Sequence, residues 1–205
     1  MRSGALGLCA AGLLAMSGVA AASDVEVSAR EGHPRGRFPL TVSITSPGDR
    51  TLADVVTRVI GDWNAVSRAV LGLEAFVLAK GDPGAQVTIA LGSGSSERFM
   101  GLTEIEFGQD GVIKPGVRIT LTEPSERGQT SRETLMYAVT AHELGHALGL
   151  PHTTDPRSIM CCVRHGVDFS DPAFRRAYVD ARRHPDLRSV EPQLKAHYAA
   201  FWRGR

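Results

Sequence analysis

The chain has 205 residues, 23 Lys and Arg against 22 Asp and Glu, and a formal charge of +1. That length suits one well-packed domain rather than two, and the near-even charge gives no support for nucleic acid or an anionic membrane as partner.

Arg2 and the apolar run from Ala5 to Ala22, with small residues at Ala20 and Ala22, read as a secretory signal peptide spanning residues 1–22 and cut before Ser23. The rival reading is a membrane anchor. The run's length and its many Gly, Ala and Ser residues disfavour a spanning helix. Cys9 follows Leu8, where a lipid-modified cysteine would need a small residue. No other segment is long or apolar enough to span a bilayer, so residues 23–205 are expected to form a single exported domain with no membrane attachment in the mature form.

Leu40, Val42 and Ile44 alternate with Thr41, Ser43 and Thr45 as in a half-buried strand, and Ser46 to Asp49 turn the chain. A helix follows, capped by Thr51 with Asp54 nearby. Its apolar stripe runs Leu52, Val55, Val56, Val59, Ile60, Trp63 and Val66. Gly72 to Val77 form a candidate second strand; Val87, Ile89 and Leu91 mark a third, followed by a flexible Gly/Ser loop over 92–96. Ile105 and Phe107 suggest a short fourth strand, and Val117, Ile119 and Leu121 a fifth. Thr130 and Glu133 make a capping-box pattern that opens another helix.

That helix carries the chemistry. His142 and His146 are four residues apart and share one face, so both imidazoles can reach one ion, with Glu143 beside the first. Gly149 can take the left-handed conformation that ends a helix, and Pro151 cannot continue one, so the chain swings back with His152 as a third ligand. Three protein ligands leave a fourth position for water, the mark of a catalytic rather than a structural zinc site. Met160 follows shortly after.

Downstream, residues 171–185 hold Arg175, Arg176, Arg182 and Arg183 around Phe174 and Tyr178, read as a solvated basic face with a partner-binding helix as the alternative. Leu194, Tyr198 and Phe201 lie on one face of a last helix, which Leu187 and Val190 lead into. His33, His165, His184 and His197 are given no role.

The pattern H-E-x-x-H-x-x-G-x-x-H from His142 to His152, followed by Met160, resembles the metzincin clan of zinc endopeptidases, and the run His142 to Leu150 looks most like its matrixin branch. The resemblance implies an α+β catalytic domain. It would have a mixed five-stranded sheet, a long first helix, an active-site helix and a C-terminal helix, with one antiparallel edge strand near Thr103 to Phe107 lining the cleft. It also implies one catalytic zinc on His142, His146 and His152, Glu143 as general base, and Met160 as an apolar floor beneath the ligands. The substrate would be a polypeptide, bound as an extended strand along the edge strand. A monomer is expected.

The chain departs from the resembled family in several places. Cys161 and Cys162 stand where matrixins have Tyr and Pro, which removes a candidate hydrogen-bond donor to the transition state. Three readings of this pair stay open: a vicinal disulfide, two free or buried thiols, or a thiolate that reaches zinc or pairs between chains. The absence of histidine between His33 and His142 means that the family's second, structural zinc cannot be carried over. Calcium ligands are not evident, and residues 23–37 lack the cysteine of a matrixin latency segment. Two rivals to a peptidase follow: a zinc- or peptide-binding module without turnover, and a zinc hydrolase of a non-protein substrate such as a cell-wall crosslink.

Overall fold

The computed structural model describes residues 27–45, 50–79, 84–92, 100–122, 130–162 and 168–203. The expected signal peptide, the turn at 46–49 and nearly all of the Gly/Ser loop lie outside them. In β1 (Leu40–Ile44) the alternating pattern buries Leu40 and Val42 completely. The next element, α1 (Arg50–Leu71), buries the whole stripe from Leu52 to Val66. Thr51 lies inside the helix rather than capping it, because Arg50 before it is already helical.

Gly72, expected to open the second strand, instead ends α1. Its φ is +70°, and its N–H donates to Arg68 O at 3.2 Å. A residue without Cβ takes this conformation without a clash, and the chain needs that reversal before it can extend. The strand β2 (Phe76–Leu78) therefore begins only at Phe76.

Three further strands, β3 (Val87–Gly92), β4 (Gly101–Glu104) and β5 (Val117–Thr122), complete a five-stranded sheet of order β2-β1-β3-β5-β4. Its neighbours are parallel except β4, which runs antiparallel to β5 at one edge. The register aligns Val42 with Val87 and Val87 with Val117, and Ile44 with Ile89 and Ile89 with Ile119, so apolar residues line up across the three central strands. The edge strand sits upstream of the predicted Thr103 to Phe107. Ile105 turns into the core, and Phe107 makes only an isolated antiparallel bridge to Ile113. All four residues of β4 are half-buried, so no alternation marks the strand in the sequence.

The helix α2 (Arg132–Ala147) is capped by Ser131, whose hydroxyl accepts from Thr134 N–H at 3.2 Å. The predicted cap was its neighbour Thr130, which is held in a β-bridge and leaves the capping geometry to Ser131. Glu133 reaches across to Arg58 of α1 at 3.0 Å instead of closing a capping box. The chain ends with α3 (Pro172–Arg183), a 3-10 turn at Leu187–Val190 and α4 (Glu191–Arg203). α1 packs on both α2 and α4. Trp63, fully buried on α1, donates to Ala141 O of α2 at 3.2 Å, and Tyr198 of α4 donates to Leu148 O at 2.8 Å. These helices and the mixed sheet give the expected α+β architecture. Among the described residues no helix is long and apolar enough to cross a membrane.

Candidate active site

The end of α2 is built to stop sharply. Gly149 has φ +86°, its N–H donates to His146 O at 2.8 Å, and Leu150 N–H reaches back to Gly145 O at 3.0 Å. This pair of bonds satisfies carbonyls that a helix end otherwise leaves open, and it redirects the backbone within two residues. Pro151 O then accepts from Gln193 Nε2 of α4 at 2.8 Å, and Thr153 N–H donates to Met160 O at 3.0 Å. His152 is held between these two anchors and faces the helix it has just left.

The three histidines meet. Their Nε2 atoms lie 3.0, 3.1 and 3.1 Å apart. His142 Nδ1–H donates to Ile159 O at 2.8 Å and His146 Nδ1–H donates to Leu150 O at 2.9 Å. A carbonyl accepts only, so each Nδ1 carries the proton and each of these two Nε2 atoms presents a bare lone pair. Lone pairs this close repel unless a cation sits among them. Nitrogens bound at roughly 2.0–2.1 Å to one tetrahedral zinc would stand about 3.4 Å apart, close to what is observed. The donor set therefore fits zinc, and His142, His146 and His152 form a cluster that could hold it.

Burial, and after it the neighbouring His146, holds the His142 imidazole well below the ordinary histidine range. Burial, then His152, lowers His146 to about 4. Both rings are therefore neutral at pH 7, the form that ligates a metal.

Glu143 is 5 % exposed, and its carboxylate turns toward β4. Thr103 Oγ1 donates to Glu143 Oε2 at 2.6 Å and lies 3.2 Å from Glu143 O. Two positions along the same strand, Gly101 leaves room for the carboxylate: a Cβ there would lie 2.5 Å from Oε1 and 2.7 Å from Val139 Cγ1. Sequence reasoning found Glu143 from its place in the motif and missed both β4 residues.

Met160 is fully buried beneath α2, where a Cβ on Gly145 would collide with its Sδ. Ser158 Oγ accepts from Met160 N–H at 3.1 Å, and Ser189 Oγ accepts from Ile159 N–H at 3.1 Å, so the turn that offers Ile159 O to His142 is itself fixed. Cys161 and Cys162 are joined to each other as a disulfide. Arg182 is not part of a solvated face: it donates to Cys161 O at 2.8 Å and lies over the Tyr178 ring at 4.6 Å, tying α3 to this turn. His33 and His197 are buried away from the cluster, His184 ends α3, and His165 lies outside the described residues.

The sequence model of one family, described as matrixin, matches residues 53–173, from the first turn of α1 to the start of α3. No curated protein matches the chain.

Proposed function

The chain belongs to the matrixin family of zinc metallopeptidases, and from that premise we propose that it is an exported, monomeric endopeptidase that hydrolyses peptide bonds with one zinc and a glutamate base. In this reading residues 1–22 are a signal peptide and residues 23–205 one catalytic domain. The observation that carries it is the convergence of three imidazole Nε2 atoms, two with tautomers set by carbonyls, at a helix whose Glu143, next to His142, holds a buried carboxylate against β4.

Zinc bound there would polarise both the scissile carbonyl and a water whose pKa falls from about 15.7 toward roughly 7. His142, His146 and His152 would hold the metal, and neutral imidazole ligands would leave its charge undiminished. Glu143 accepts a proton from the water as the water oxygen bonds to the carbonyl carbon, and then passes that proton to the leaving amine as the C–N bond breaks. Met160 closes the floor with apolar surface. β4, at the edge of the sheet, offers its outer side to an extended polypeptide, which adds as a further strand.

A fluorogenic peptide pool assayed with and without chelator tests the reading. Cleavage that stops on chelation is expected. Glu143→Gln should keep its zinc and lose hydrolysis, whereas His146→Ala should lose the metal itself by elemental analysis. Bound zinc in the wild type with no cleavage of any peptide would instead favour a binding module or a hydrolase of another substrate.

A further inference from the structure

Gly101 and Thr103 are two residues apart on a strand, so both face α2 while Leu102 faces the opposite way. Antiparallel pairing with β5 sets Thr103 against Ile119, which fixes its backbone independently of its side chain. Threonine is branched at Cβ and stiff at χ1, so its hydroxyl is presented in one direction. That direction is Glu143. The hydroxyl has one proton and two acceptors within reach, Oε2 at 2.6 Å and the main-chain O at 3.2 Å. A short bond to an ionised carboxylate is the stronger of the two, so the proton goes to Oε2.

We propose that Thr103 is a positioning residue for Glu143: its hydroxyl clamps Oε2 and so fixes the orientation of the carboxylate that packs against Gly101. The inference rests on the peptidase reading above, in which Glu143 is the base. The terminal torsion of a glutamate is loosely defined, and a hydrogen bond to one carboxylate oxygen narrows it before the substrate arrives. The same strand that pairs with the substrate would then also set where the base stands. No local pattern betrays this, since the two residues are 40 apart in the chain.

The test compares Thr103→Val, which keeps the shape and the β-branching, with Thr103→Ser, which keeps the hydroxyl. Both are measured as zinc-loaded full-length protein with metal content checked. Thr103→Val should lower kcat about tenfold, the scale of a lost hydrogen bond to a charged group, with KM within about twofold and zinc content unchanged. Thr103→Ser should stay within about threefold of the wild type. Infrared difference spectra give a readout independent of turnover: Thr103→Val should shift the carboxylate band that Glu143→Gln removes. A Thr103→Val enzyme with kcat within twofold of wild type, or a Thr103→Ser enzyme as impaired as Thr103→Val, overturns the proposal. If the wild type cleaves no peptide, the peptidase reading fails by itself, and the infrared band then decides: an unshifted band overturns the clamp, and a shifted band upholds it.

Discussion

Between the two histidines of α2, Gly145 presents no side chain, and the Met160 thioether occupies the space beneath it. Two effects of Gly145→Ala therefore compete. Helix propensity favours alanine by up to about 1 kcal/mol. Overpacking against a fully buried methionine opposes it by about 1–3 kcal/mol, since Met160 has no room to retreat and neighbouring Ile159 O is bonded to His142. Overpacking should win. Gly145→Ala is expected to lower the urea midpoint and to weaken zinc binding, because the displaced turn pulls the carbonyl that orients His142. Zinc affinity and stability equal to or above wild type would show that the methionine floor yields. The sequence motif leaves this position open, yet here it is as constrained as the histidines on either side of it.

At the scale of elements, α1 does more than bury a stripe. Leu40 N–H donates to Ala75 O and Ala79 N–H to Val42 O, so β2 bonds β1 through alternate residues and turns the polar groups of Phe76 outward at the sheet edge. Asn64 meets them both: its Nδ2 donates to Phe76 O at 2.8 Å, and its Oδ1 accepts from Phe76 N–H at 2.9 Å. Asn64→Ala would strand two buried main-chain groups, at about 1–3 kcal/mol each. A loss of roughly 2–6 kcal/mol in denaturant unfolding is expected, with the zinc content of the folded protein unchanged; a loss below about 0.5 kcal/mol would mean that water replaces the amide. The two edge strands are also where sequence reading slipped. β1, β3 and β5 alternate visibly because each carries its apolar residues into the core, whereas β2 is three residues long and β4 is half-buried throughout. The three-histidine cluster was legible because helix spacing and one glycine fix its geometry locally. Thr103 and Gly101 were not, because what defines them is a helix reached only through the fold.

Over the whole molecule, the N-terminal segment, α4 and the end of α2 are locked together by buried groups that titrate. His33, 2 % exposed, donates from Nε2 to Ala147 O at 2.8 Å, and its own carbonyl accepts from Trp202 Nε1 at 2.9 Å. Burial is the main reason its pKa falls from 6.5 to about 4, with the positive charge of Arg37 and the nearby His197 adding to the effect. His197 is lowered in the same direction, again chiefly by burial. Between about 4 and 6.5 the unfolded chain binds a proton at His33 that the folded chain refuses. Stability is therefore complete above pH 6.5 and declines as the pH falls through about 4. The contribution of His33 is at most about 3 kcal/mol. In the proposed zinc-bound form acid would also release the metal, so that loss must be separated from the one at His33. Urea unfolding of His33→Gln, which keeps a donor for Ala147 O but has no proton to gain, should show a shallower decline from pH 6.5 to 4.5 than the wild type, by roughly 1–3 kcal/mol, both with zinc and with chelator present. Equal declines in the two proteins under chelation would place the acid sensitivity in His142, His146 and His197 instead.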